Sequence, residues 1–484
     1  VFAFPSLAAA VVLIAWGLLG AAAAAWRIAR GAGGGRLLAL ALAPWLLAGP
    51  LALVLFSLAL LGVAWSPGLF AALLLVGGAV GGAWGVRGGL PTLALPPGRA
   101  VWGAAALSLL LSAAVLFNAG YWPFQREDVL AVYQPQAAAM AETGALLPLR
   151  GADSLYLAYP MLVQLNSAAV YTLAGWPAET TAGLLIALLA LSSLPACAHL
   201  ATQIGGVQAG AWAALLLAAM PTFGRWSSSG YVDLPMAATY TLAAAFAVGA
   251  WQAESPARAA RCALCAGACM GAAAFTKNAA LVGVGAFALW LGAAWACGRI
   301  SGRAALGAAS ACALIAAPWY LRNLAGAGFL MPATAWVDQA ERTLFNLFPF
   351  ALGPENFAAS GFLITAGGLG WLVQLARGRA PAAVIIAGGA AAALFAAWWA
   401  FASYDSRFLL LIAPLLCALG GAALARVFAT GTRARRAARW ACAAVLVVSF
   451  AYTLWVSVEH KDHIIRDPLM GWGDKLAVIG RAPP

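Results

Sequence analysis

The sequence predicts an all-α polytopic membrane protein, and three observations carry that prediction. Apolar runs of about 18 residues or more recur from end to end, each long enough to cross a bilayer. The chain of 484 residues is 64% apolar and only 9% charged, where a soluble domain carries roughly a quarter charged residues. The runs are continuously apolar, whereas the strands of a membrane barrel alternate with period two. A soluble enzyme, a disordered chain, a disulfide-stapled secreted domain and a β-barrel are excluded.

Taken in order, runs bounded by Arg, Pro or Gly clusters place spans at about 4–26, 37–63, 68–86, 100–118, 180–200, 208–224, 232–252, 262–276, 279–298, 304–320, 359–376, 381–402, 407–426 and 440–458. That is a bundle of about 13–14 transmembrane helices. The chain opens at Val1 without a methionine, so its translated start is expected upstream. The first run has no basic residue before it and no A-x-A cleavage pattern, and reads as a span, not a signal peptide.

Two stretches interrupt the pattern, 119–179 and 321–358. Both are rich in Trp, Phe, Tyr and Pro and read as ordered loops at the membrane interface. Within the first, Gln164, Asn166, Ser167 and Thr172 make 160–176 a poor span, so it is expected to lie along the interface as an amphipathic helix.

The connectors set the orientation. One set holds sixteen basic residues, among them Arg27, Arg258, Arg261 and the cluster Arg426, Arg433, Arg435, Arg436 and Arg439, with Glu254 its only acid. The opposite set holds eleven basic residues and fourteen of the fifteen acids. By the positive-inside rule the first set is cytoplasmic. The net charge of +12 therefore records topology, and no nucleic-acid partner is expected. Cys262, Cys265 and Cys269 stand at helical spacing, but with no His or carboxylate nearby they read as small packing residues and not as a metal site. His460 and His463 read as part of an exposed polar tail, with a weak metal spacing as the alternative.

Polar residues interrupting the apolar pattern collect on the other, outer side: REDVLAVY at 126–133, SSSGYVD at 227–233, TKN at 276–278, PWYLRN at 318–323 and YDSR at 404–407. Ionisable residues at a membrane boundary are costly and are functional candidates by default. Five clusters on one face, from segments far apart in the chain, imply a single shared site. Glu127 and Asp128 are carboxylates of the kind that take a proton from an attacking hydroxyl. Lys277, Arg322 and Arg407 are cations suited to a phosphate. Blander roles stand beside these: Asp405 pairing with Arg407, Arg322 as an interfacial anchor, and Asp233 capping the helix that follows it. A carboxylate and a phosphate clamp at one membrane face describe transfer of a group from a lipid phosphate to an acceptor.

In this order the clusters resemble the GT-C superfamily of membrane glycosyltransferases, closest to the bacterial relatives of protein O-mannosyltransferases and lipid A aminoarabinose transferases. The likeness runs from about residue 100 to 426. It rests on Glu127–Asp128, Tyr159–Pro160 ahead of 160–176, Tyr231–Asp233, Thr276–Lys277, the string 318–323, and Ser406–Phe408. The acidic pair is Glu-Asp where the family often has Asp-Glu, and Tyr133 falls one position late.

The resemblance implies transfer of a sugar from a polyprenyl-phosphate donor on the periplasmic face of a bacterial inner membrane, with inversion at the anomeric carbon. Asp128 or its neighbour Glu127 would be the base. Lys277, Arg407, Arg322 and Tyr404 would hold the donor, with Tyr159, Tyr231 and Asp233 in acceptor or structural roles. No cofactor is indicated by the sequence, and metal dependence varies across the superfamily. Residues 1–99 are additional helices ahead of the matching part, and 427–484 form the last span and a short periplasmic tail. The partners expected are the polyprenyl-phosphate sugar, membrane lipids, and membrane proteins docking through 1–99. Two other readings fit less of the pattern: a non-catalytic GT-C-fold subunit of a larger complex, and a transporter of a lipid-linked substrate, whose ionisable residues would sit at mid-membrane.

Overall fold

The computed structural model describes residues 4–87, 89, 98–149, 159–331, 353, 356–401, 406–429 and 432–481, and every regular element among them is a helix. Eleven of the described helices are long and apolar enough to cross a membrane. Val207–Ala218 and Pro221–Ser227 form one further pair bent by 71°, and Ala280–Ala296 and Ala413–Val427 are shorter apolar helices. Together these occupy the fourteen expected segments.

The centre of the bundle is helix Asp233–Trp251, buried along nearly its whole length. Around it pack Glu179–Leu191, Ser193–Gly205, Pro256–Thr276, Ala382–Phe401 and Ala413–Val427. Helices at the periphery turn large apolar side chains outward, Leu109, Leu289, Leu314 and Val448 among them, as lipid-facing surfaces do. Lipid gives little driving force for helix association, so small residues set the close contacts. A Cβ on Gly20 would collide with the Gly78 carbonyl, and one on Gly267 with the Ala308 carbonyl. The first of these joins Phe4–Gly31 to Pro67–Val86. Helix Arg36–Leu60 ties this N-terminal group to the core, where Trp45 Nε1 donates to Ser192 Oγ at 2.9 Å.

The connectors gather at two ends. At one, Arg258 Nε donates to the Ala32 carbonyl at 2.9 Å and Arg261 Nε to the Gly31 carbonyl at 3.0 Å. Arg27 Nη1 reaches the Trp84 carbonyl at 2.6 Å, and Arg299 lies over the Trp251 ring. The basic connectors thus meet one another in space, as their shared sidedness requires.

Two expectations need correction. The segment 160–176 is helical over Leu162–Ala174 and, at 13 residues, too short to span. It does not present a polar face to the interface, because all but two of its residues are buried by other helices. Two of its polar side chains turn to backbone instead: Asn166 Nδ2 donates to the Ala48 and Leu162 carbonyls at 3.0 and 2.8 Å, and Ser167 to the Val163 carbonyl. The Gln164 amide and the Thr172 hydroxyl are enclosed without a hydrogen-bond partner among the described residues. The C-terminal tail is likewise not a free polar extension. It leaves helix Arg433–Ser457 and turns at His460, whose backbone is left-handed (φ 47°). It then lies back across residues 118–126, with His460 Nε2 on Gln125 Oε1 at 2.7 Å.

Candidate active site

The end of the bundle away from the basic connectors brings four of the five polar clusters to one place. Asp128 lies in the helical turn that follows the open segment 122–126, just ahead of a π-helical turn, Val129–Tyr133. Such turns hold an extra residue and recur at functional sites. This one ends on Tyr133, whose ring meets Tyr231 edge-on at 6.1 Å. The 71° break ahead of Pro221 ends one helix and re-aims the next, which carries Trp226 to the edge of Tyr231 at 4.9 Å. Lys277 stands where helix Pro256–Thr276 ends in extended backbone. Arg407 lies in the short 3-10 helix Ser406–Leu411.

The charges pair across these elements. Arg407 Nη1 is 3.3 Å from Asp128 Oδ2, and the Asp128 backbone N–H donates to the Tyr231 hydroxyl at 3.4 Å. Lys277 Nζ donates to Asp233 Oδ1 at 2.5 Å. Both cations lie over the Phe408 ring, Lys277 at 4.5 Å and Arg407 at 4.8 Å from its centroid, within the range where a ring face attracts a cation. Arg407 also lies 4.5 Å from the Tyr231 ring. The site is therefore graded: the Asp128 side chain is 45% exposed and the Asp233 side chain 2%. Asp233 Oδ2 is buried without a hydrogen-bond partner, a cost of about 1–3 kcal/mol that a bound donor would remove.

Tyr133 and Tyr231 both hold their protons more firmly than an ordinary phenol. Burial is the larger cause for each. For Tyr133 the carboxylates of Asp233 and Asp128 add to it; for Tyr231 the Arg407 guanidinium pulls the other way. Both rings enter the site as neutral hydroxyls.

Of the residues singled out in the sequence, Asp128, Tyr231, Asp233, Lys277 and Arg407 come together. Glu127 is exposed, and of the two acids it is Asp128 that contacts Arg407 and Tyr231. Asp233 does not cap its helix: Val232 holds the cap position without a side-chain bond, and the Asp233 carboxylate takes Lys277. Arg407 meets Asp128, while Tyr404 and Asp405 lie outside the described residues. Arg322 donates to the Leu147 carbonyl at 2.5 Å and stacks on Trp319, and Tyr159 is half-buried ahead of Leu162.

Tyr133 and Phe408 close the strings 126–133 and Ser406–Phe408 and Trp226 immediately precedes 227–233, yet the sequence singles out none of the three as a site residue. No group of three His, Cys, Asp or Glu side chains among the described residues is arranged to hold a metal ion.

Neither a protein-family model nor any curated protein matches the sequence. Solved structures do. The chain is similar to the crystal structure of ArnT from Cupriavidus metallidurans in the apo state, with a TM-score of 0.54 and 19% identity over 79% of this chain and 77% of that one. This is the GT-C fold. The structure of ArnT bound to undecaprenyl phosphate matches with a TM-score of 0.53 and 18% identity over the same shares of both chains. The archaeal oligosaccharyltransferase AglB from Archaeoglobus fulgidus, in complex with an inhibitory peptide and a dolichol-phosphate, matches at 0.48 and 13% identity, over 79% of this chain and 60% of that one.

Proposed function

We propose that the protein is a membrane glycosyltransferase that moves a sugar from a polyprenyl-phosphate donor to a hydroxyl acceptor. The observation that carries this reading is the contact of Asp128 with Arg407, beside a Lys277 that shares the Phe408 ring. One carboxylate able to take a proton thus sits with two cations able to hold a phosphate. The fold supports the same reading, since ArnT has been seen with undecaprenyl phosphate bound.

In this reaction the acceptor O–H gives its proton to Asp128 as its oxygen bonds to the anomeric carbon. The bond from that carbon to the phosphate oxygen breaks, its electron pair stays on the phosphate, and polyprenyl phosphate leaves. Attack opposite the leaving phosphate inverts the anomeric centre. Arg407, through its planar fork, and Lys277, as a point charge, stabilise the negative charge gathering on the phosphate. A phosphate on Arg407 competes with Asp128 for the guanidinium and so releases the carboxylate toward the acceptor. Asp233 keeps Lys277 in place, and its unpartnered Oδ2 is an acceptor for a sugar hydroxyl.

Asp128 is preferred to Glu127 as base because it alone of the two touches Arg407. Arg322 and Tyr404 are assigned to donor binding and Tyr159 to an acceptor or structural role. The arginine-rich end faces the cytoplasm and the paired end the periplasm of a bacterial inner membrane.

The test is retention of undecaprenyl phosphate by the protein in nanodiscs, read by native mass spectrometry. Wild type should hold it in preference to phosphatidylglycerol, and Lys277→Ala with Arg407→Ala should weaken binding about tenfold or more. No preference in wild type, or none lost in the double variant, sinks the reading.

A further inference from the structure

The segment that leads into Asp128, residues 122–126, is not helical. Its buried backbone groups need partners from elsewhere, and the C-terminal strap 458–481 holds it at two points, the first through the backbone of Phe124 and the second through side chains. At the first, Glu179 is 4% exposed and accepts from the Phe124 N–H at 2.9 Å. Arg481 grips both Glu179 oxygens, at 2.8 and 2.9 Å, and its Nη1 also donates to the Phe124 carbonyl at 3.0 Å. Both backbone groups of Phe124 are thereby held by one bidentate ion pair. At the second, Glu459 pairs with Arg126. Its backbone accepts from Trp122 Nε1 at 3.1 Å and donates to Asn118 Oδ1 at 2.8 Å.

The second point reaches the reacting groups. The Arg126 guanidinium lies 5.3 Å from the centroid of the Trp226 ring, and that ring also carries Arg407 at 5.3 Å. A continuous path runs from Glu459 through Arg126 and Trp226 to Arg407, which holds Asp128. Fixing the backbone four residues ahead of a base, and the ring beneath its cation, fixes where the carboxylate stands. A displacement of about 1 Å at such a group can cost on the order of a hundredfold in rate.

We propose that Glu459 and Arg481 are positioning residues: the strap pins residues 122–126 so that Asp128, in the turn that follows, meets the acceptor hydroxyl. The inference rests on the transferase reading. Neither residue touches Lys277 or Arg407 directly, so loosening the strap is expected to lower kcat and leave the use of donor nearly unaltered.

The test compares wild type, Glu459→Gln, Arg481→Gln and the conservative Arg481→Lys as full-length protein in nanodiscs. Release of undecaprenyl phosphate from undecaprenyl-phosphate-linked pentose and hexose donors gives kcat and KM, and hydrogen exchange reports on residues 122–130. Both Gln variants should exchange faster there and lose between about 10- and 100-fold in kcat, with donor KM within about twofold and Arg481→Lys in between. Faster exchange with kcat unchanged leaves the strap a structural cover only, and overturns the proposal. So does a loss of kcat that comes with an equal rise in donor KM and a lower melting temperature. If wild type turns over no donor while still exchanging slowly at 122–130, the transferase reading has failed, and the positioning role falls with it.

Discussion

The two ends of this bundle use charge in opposite ways. At the arginine-rich end, Arg27, Arg258 and Arg261 donate to main-chain carbonyls, and Arg433, Arg435 and Arg436 are exposed on the first turn of their helix. At the other end, Asp128 meets Arg407 and Asp233 meets Lys277, while Glu179 meets Arg481 and Glu459 meets Arg126. Both sets stand at a membrane boundary. An arginine that meets carbonyls and solvent records which side it is on. A cation desolvated beside a carboxylate is held in one geometry, which is what chemistry requires. Counting charges finds both ends; only pairing tells them apart.

The comparison breaks or sharpens in four ways. The largest effect is expected at Asp128: Asp128→Asn should cut turnover by about 10²–10⁴-fold while undecaprenyl phosphate remains bound. Full activity in that variant would move the base elsewhere. Next, Asp233→Asn leaves Lys277 desolvated with its carboxylate gone, and should cost about 3–5 kcal/mol of stability, read as a lower melting temperature in detergent. Asp233→Leu with Lys277→Met should recover most of that stability and none of the activity. If the single variant melts like wild type, the pair is not a desolvated one.

A smaller effect concerns pH. His460 is held below its ordinary value of about 6.5, chiefly by burial, with Glu459 pulling it up and neighbouring cations adding to the depression. The docked strap therefore binds its proton less readily than the free one. Docking is at full strength above the free value and weakens as pH falls below it, toward the lower docked value. Protection from hydrogen exchange over 459–467, corrected for the intrinsic pH dependence of amide exchange, should fall as pH drops below about 6.5, and His460→Gln should remove that dependence. Smallest of all, Arg433→Gln, Arg435→Gln and Arg436→Gln should each leave turnover unchanged and stability within about 0.5 kcal/mol. A loss of turnover there would mean that the two ends are coupled after all.

Much of the fold was legible because bilayer thickness is a length, and fourteen runs of that length can be read directly. Helix 162–174 was harder. Its Gln, Asn and Ser read as a wet face, yet all three are buried, with Asn166 Nδ2 and Ser167 Oγ donating to carbonyls inside the protein. The tail was misread for a related reason. Glu459 and Arg481 look like ordinary polar residues of a short extension until Arg126 and Glu179, more than 300 positions away, are known to stand beside them. One signal for that pair was present: Glu179 is a lone carboxylate entering an apolar run, and such a residue needs a partner.

By itself the sequence determined that the chain is helical and membrane-spanning, where its helices run, and which connectors share a side. These follow from local apolar length and from the bias of Arg among short loops. It also supplied the residues with chemistry: Asp128, Asp233, Lys277 and Arg407. The tertiary structure alone decided which carboxylate each cation takes. That choice depends on a few ångströms of approach between segments 44 to 333 residues apart, and ion pairing falls off too steeply with distance for any local pattern to encode it.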